Sequence, residues 1–490
     1  MNLIPSPRKT TFNYWCTWDT QWNVLKENTP PGHPIPTRDR MDDAFLFGPD
    51  GVFHAFDAAR GDLIALLDDG WDVPYGAADG RLFGSLEVDA GRFPSLQGTP
   101  AQRLRALSDR VRALGYRGLG LWVPAQMPGD NGAGPGWERA RAHWDERARW
   151  SHEAGVLYWK VDWGVHSRNI AYREMMTDCA RRYAPGLIVE HALCQGPFEP
   201  DCANPIALAG REEYIRQVLQ AGDALRTYDI APEFTHATTM YRAAEALRLS
   251  GGSGAVINVE DDAILGAGLG CSLGVMRHPK EADMVRLTYP SRIAEESVRA
   301  LHWHRVAPPF PAGDTPFAIS GQQLEDAWYY PKRDKSLWPC TCDEIVRQSA
   351  PAAVSRNMVL PVVEAEGEKP FVASSLHPDT GALSLAALPR TLPGHLCETP
   401  LARVAVCGAQ AEAPVGLFGH FGAVEITFME EIGARRVFAQ DLCREEAVDV
   451  TADVRLEGKT LFLPGSVLEA LCRLEGRERA LPGAMLVLRA

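Results

Sequence analysis

VLYWKVDWG, residues 156–164, is a short apolar and aromatic run that ends in charged residues and closes on glycine. Alternation along an extended chain puts Lys160 and Asp162 on one face, two residues apart. Similar runs recur before it and after it: FNYWCTW (12–18), LIALLDD (63–69), YRGLGLWV (116–123), GLIVEH (186–191), ALRTYD (224–229) and AVINVED (255–261). An eighth is expected between Gly266 and Tyr289. Amphipathic stretches separate them. In TPAQRLRALSDRVRALG (99–115) Leu104, Leu107, Val111 and Leu114 fall at helical spacing, and YREMMTDCARRYAPG (172–186) reads the same way. Apolar strands alternating with helices build a parallel sheet. Eight such units close into an α/β fold, the (β/α)8 TIM barrel, whose chemistry sits at the carboxyl ends of the strands. The polar residues that end these runs are therefore the candidates for function.

After His304 the rhythm changes. PFPAGDTPF (309–317) is rich in proline and glycine, and short alternating runs follow, among them FVASSLH, ALSLAAL, AVEITFM and AMLVLRA. These predict a C-terminal antiparallel β-sandwich domain. The expected division is a catalytic barrel over 1–320, a linker over 321–345 and the sandwich over 346–490.

Composition narrows the function classes. The chain has 490 residues, 46% hydrophobic and 23% charged, as folded globular proteins do. A formal net charge of −13 leaves no basic surplus, so neither nucleic acid nor a membrane surface is expected as a partner. There is no apolar run of spanning length and no secretory leader pattern, which reads as cytoplasmic. Eleven scattered cysteines read as buried or free thiols rather than a disulfide framework, and the close pair Cys340 and Cys342 has no second pair to complete a metal site. No cofactor and no metal are expected; a homo-oligomer is compatible with everything above.

Three strand ends carry the candidate chemistry. Asp162 beside Lys160 is a carboxylate placed to attack an electrophilic carbon, or a structural ion pair at the barrel top. Asp229 follows Arg226 in ALRTYDI, where it could protonate a leaving oxygen and then activate water, or form a salt bridge. In LIALLDDGWD, the adjacent Asp68 and Asp69 could take vicinal sugar hydroxyls beside the indole plate of Trp71, or cap a turn or bind Ca²⁺. Trp18 and Trp122 also fall at strand ends, as platform or as packing. Two carboxyls on strands four and six can face one another across a barrel mouth, and a retaining glycosidase needs such a pair roughly 5–5.5 Å apart.

In order as well as content these motifs resemble the clan D glycoside hydrolases, families 27 and 36, which include α-galactosidases. WCTWD resembles the first-strand W-x-x-W of family 27. LLDDGWD, FGSLEVDAGRFPS and LSDRVRALGYRGLGLWVPAQ follow one another as the corresponding segments of family 36 do, and YWKVDWG is similar to the nucleophile strand of both. LRTYDI resembles the acid/base strand of family 27, one residue shorter. The likeness spans roughly residues 12–262, and LCQGPFEPDCANP stands where family 36 has a glycine-rich segment. It implies a glycosidase acting on an oligosaccharide or glycoside with a terminal α-linked sugar. Asp162 would be the nucleophile and Asp229 the acid/base; Asp68, Asp69, Lys160, Arg226, Trp18 and Trp122 would bind or position the sugar. Glu190 would stand where family 27 reads the C2 substituent. Glu260, Asp261 and Asp262 match no motif. The competing readings are an enolase-type lyase with Asp162, Glu190 and Glu260 or Asp261 as metal ligands and Lys160 as base, a transglycosidase, and a non-catalytic sugar-binding barrel.

Overall fold

The computed structural model describes the chain apart from residues 24–36, 78, 131–136, 193–209, 228–235, 277–293, 331–343, 393–394 and 477–479. Eight parallel strands form a ring: β1 (Tyr14–Cys16), β2 (Ile64–Leu67), β3 (Gly118–Val123), β4 (Tyr158–Val161), β5 (Ile188–Ala192), β6 (Ala224–Arg226), β7 (Val256–Asn258) and β8 (Gly274–Val275). From β1 to β7 each pairs with the next, and β1 pairs with β8. The ring closes between β7 and β8 through a parallel bridge from Asn258 to Ser272, whose N–H donates to the Ile257 carbonyl at 2.8 Å. Every strand expected from the sequence is present, the eighth inside its predicted window.

Around the ring run α1 (Trp18–Asn23), α2 (Asp43–Phe47), α3 (Pro100–Ala113), α4 (Trp137–Ala154), α5 (Ile170–Tyr183), α6 (Arg211–Ala221), α7 (His236–Leu249), α8 (Ala263–Leu269) and α9 (Ala294–Val306). The start of α3 is fixed locally. Thr99 and Gln102 cap each other's backbone N–H groups reciprocally, and Pro100 takes the first turn, where no donor is needed. Strand residues alternate between two cores, as the period of two requires. Trp15, Ala65, Leu67, Leu119, Leu121, Trp159 and Val161 pack outward against the helices. Tyr14, Cys16, Ile64, Leu66, Trp122 and Tyr158 fill the inside of the ring.

Beyond the barrel, two sheets face each other across a core that includes Val372, Leu385, Leu417, Val404, Val424 and Leu463. One sheet has eight strands, beginning with Phe317–Ile319 at one edge, and the other has five. They are mostly antiparallel. Three parallel pairs interrupt the pattern, such as Arg403–Ala409 with Ala423–Phe428. A hairpin of Gln323–Tyr330 and Glu344–Pro351 packs against α7.

The sandwich is bound to the barrel through α8. Helix ends leave carbonyls without partners, and here the sandwich supplies donors. Ser384 donates to Ala267 O at 2.6 Å, Ser375 to Gly268 O at 2.9 Å, and Arg356 to Leu269 O and Gly270 O at 3.0 Å each. The approach is close enough that a Cβ on Gly268 would lie 2.5 Å from the Ala386 Cβ. Gly268→Val is therefore expected to cost about 2 kcal/mol through overpacking, read as a lower denaturant midpoint; an unchanged midpoint would contradict this docking.

Candidate active site

The site grows from β4. Asp162 follows the strand's last residue, and its Oδ2 accepts the Trp122 indole N–H at 3.1 Å and lies 3.2 Å from Arg226 Nη2. The Trp122 ring is itself held against Trp163 and Phe83, with centroids 5.1 and 6.0 Å away. An aromatic wall thus orients the carboxylate while a guanidinium supplies its countercharge.

Lys160 does something other than the sequence suggested. Its Nζ reaches across the ring to Asp68 Oδ2 at 2.6 Å. The Cys16 thiol donates to the same oxygen at 2.9 Å, and the Asp69 N–H to the other at 2.8 Å. A carboxylate engaged on both oxygens is a fixed part of the floor. Burial, then the neighbouring Asp68, raises the Cys16 thiol well above its ordinary pKa, so it acts as a neutral donor.

Asp69 turns the other way, to Arg38 Nε at 2.7 Å. Gly70, at φ +118°, makes this encounter possible, since a Cβ there would lie 2.7 Å from the Arg38 carbonyl. Arg38 in turn stacks on Phe83, its guanidinium 4.7 Å from the ring centre. Among the described residues the buried Asp69 Oδ1 has no hydrogen-bond partner, and burial pushes the carboxyl up to about 7 against the opposing pull of Arg38.

A sign follows for stability. The unfolded value lies near 4 and the folded value about 7. In that interval the folded state keeps a proton the unfolded chain has released, so stability falls as pH rises and levels off above the folded value. Asp69→Asn cannot ionise. Its stability relative to the parent is expected to rise between pH 5 and pH 8 by on the order of 3 kcal/mol, measured by chemical denaturation; a gap that does not change with pH would contradict this.

Glu190 is not at the rim. It is fully enclosed inside the ring, where it accepts from Tyr14 Oη at 3.1 Å, Tyr158 Oη at 2.8 Å and Asn258 Nδ2 at 2.6 Å, with Arg226 Nε at 3.5 Å. A carboxylate so surrounded positions its neighbours and does not read a sugar substituent. Burial, and next the Glu190 charge, raise both tyrosines well above the ordinary phenol range, which keeps them as donors. Trp71 is likewise enclosed, its indole N–H on the Trp122 carbonyl at 3.1 Å, so it backs the aromatic wall instead of offering a plate. Trp18 is half-buried against the inner cluster.

The three acids after β7 part company. Asp261 accepts the Met276 N–H at 2.7 Å, and Asp262 caps α8 while taking His236 Nδ1 at 3.0 Å. Glu260 points inward, its Oε1 3.5 Å from Arg226 Nη1. It holds φ +51°, a left-handed conformation that costs a residue with a Cβ about 1–2 kcal/mol. Arg38 has no role assigned from the sequence, since TRDR (37–40) shows no periodicity, and Glu260 enters there only as a candidate metal ligand of the enolase-type reading, because one acid in VEDD looks like the next. The only signal at Arg38 was the glycine of D-D-G-W, which implies a close approach without saying by what.

Asp229 lies outside the described residues, as do Cys340 and Cys342; β6 ends at Arg226, three positions before Asp229. Of the acids that the enolase-type reading names as metal ligands, Asp162, Glu190 and Glu260 are gathered on the Arg226 guanidinium, while Asp261, its alternative to Glu260, accepts the Met276 N–H.

No protein-family model and no curated protein matches the chain. Solved structures similar to it include a candidate α-galactosidase from Bacteroides fragilis, 11% identical, with 98% of this chain and 80% of that one covered and a TM-score of 0.44. A family 27 β-L-arabinopyranosidase from Geobacillus stearothermophilus in complex with arabinose is 13% identical over 98% of both chains, at 0.38. A candidate α-N-acetylgalactosaminidase from Bacillus halodurans is 10% identical over 100% of this chain and 99% of that one, at 0.36. At these scores the likenesses carry no weight beside the residues themselves. Among the described residues no helix is long and apolar enough to cross a membrane.

Proposed function

We propose that this chain is a retaining glycoside hydrolase of the clan D type, releasing a terminal α-linked sugar with Asp162 as nucleophile and Asp229 as general acid/base. One observation carries the reading. Among the described carboxylates gathered around Arg226, Asp162 alone keeps an accessible side chain, 11% exposed against 0% for Glu190 and for Glu260. The enclosed acids can shape the field, but only the accessible one can meet a substrate.

The chemistry follows from that arrangement. Asp162 attacks the anomeric carbon as Asp229 gives its proton to the departing glycosidic oxygen. The bond to the leaving group breaks and a glycosyl-enzyme ester forms. Water then gives its proton to the ionised Asp229 and attacks the same carbon, displacing Asp162, so two inversions return the original configuration. Asp69 is enclosed and holds Arg38, which keeps a partly exposed side chain at the mouth, with Trp18 near by. Lys160 and Asp68 hold the floor beneath.

The test is a screen of nitrophenyl α-galactoside, α-N-acetylgalactosaminide, α-glucoside and β-arabinopyranoside. At least one should release nitrophenol, at a rate that EDTA does not change. Silence on all four contradicts the proposal, and loss of rate in EDTA revives the lyase reading.

A further inference from the structure

We infer that Glu260 is a positioning residue for the nucleophile: it fixes the Arg226 guanidinium that holds Asp162, an assignment that rests on the glycosidase reading above. A guanidinium is a rigid planar fork, so where its nitrogens are drawn decides where all of them point. In this ring its three nitrogens address three different acids: Nη2 lies 3.2 Å from Asp162, Nε 3.5 Å from Glu190 and Nη1 3.5 Å from Glu260. Asn258 ties the last two together. Its Nδ2 donates to Glu190 Oε2 at 2.6 Å, while its Oδ1 accepts the backbone N–H of Glu260 at 2.8 Å and that of Gly274 at 2.8 Å.

The backbone at Glu260 makes the carboxylate conspicuous. At φ +51° glycine would sit without strain, and a glutamate brings both the strain and a fully buried charge. What it adds is a pull on Arg226 at Nη1, a different nitrogen from the Nη2 that faces Asp162. Without that pull the balance of attraction on the guanidinium shifts toward the nucleophile, which it then neutralises more fully. With it, the positive charge is shared, and Asp162 keeps the electron density it needs for attack on the anomeric carbon. The effect falls on the chemical step more than on sugar binding, because Glu260 is walled off from the mouth.

Glu260→Gly and Glu260→Gln test this on whichever glycoside the parent hydrolyses. The glycine variant should lose about 100-fold in kcat, the size of effect a 1 Å misplacement brings, with KM within about threefold. Its thermal midpoint should not fall, since glycine suits the backbone. The glutamine variant keeps an oxygen facing Nη1 and should recover about tenfold of that loss. A kcat within about twofold of the parent for glycine, or a loss confined to KM, overturns the assignment. If the parent hydrolyses no glycoside, the glycosidase reading falls on that result, and crystal structures of the parent and the glycine variant judge Glu260 separately. A shift of Arg226 toward Asp162 supports its positioning role, and an unmoved guanidinium overturns it.

Discussion

Asp162→Ala is expected to lower kcat by on the order of 10⁴-fold or more, the scale of loss when a covalent nucleophile is removed. Sodium azide should restore part of the turnover. The truncated side chain leaves room beside the anomeric carbon, and a small anion can attack from the face the carboxylate occupied. The product would be a glycosyl azide of inverted configuration, since one displacement replaces two. The aromatic wall should survive, because Trp122 is held by Trp163, Phe83 and the buried Trp71 as well as by Asp162. Folding loss can therefore be told from chemical loss by comparing thermal midpoints. An alanine variant that keeps most of its rate, or one that azide leaves untouched, would remove Asp162 from the nucleophile's role.

Asp229→Ala should behave differently. A general acid matters in proportion to how badly the leaving group needs a proton, and its contribution is on the order of 10²–10⁴-fold. Dinitrophenyl glycosides, whose leaving groups depart as stable anions, should form the glycosyl-enzyme at nearly the parent rate, while alkyl glycosides and disaccharides should lose the full factor. Breakdown of the intermediate also needs Asp229 as base, so a burst of dinitrophenol followed by slow turnover is the expected trace. Equal losses across all leaving groups would mean that another residue carries the proton.

Strand positions and side-chain partners were legible in the sequence to different depths. Strand positions came out well because the strands are mostly apolar runs that end abruptly in polar residues, as in VLYWKVDWG and LIALLDDGWD. The inward face of β4 followed from simple alternation, and the structure places Lys160 and Asp162 there. What the sequence could not give was partners across the ring. Lys160 pairs with Asp68, 92 residues earlier. Glu190 reads as a strand-end acid, yet two tyrosines and an asparagine from three other strands enclose it. Trp71 sits in a motif suited to a sugar plate but faces the outer core, because the positive φ at Gly70 redirects the chain. Glu260 shows the limit most clearly. Its meaning lies in a left-handed backbone and a contact with Arg226, 34 residues away, neither of which leaves a periodic trace.

The covalent bond between sugar and Asp162 can be trapped. A 2-deoxy-2-fluoro or 5-fluoro derivative of the hydrolysed sugar, bearing a good leaving group, should inactivate the enzyme by accumulating the intermediate. Tryptic mapping should then find the mass of one fluorosugar on VDWGVHSR, residues 161–168, and fragmentation should place it on Asp162. An adduct on any other peptide, or a product of inverted configuration with no adduct at all, would contradict it.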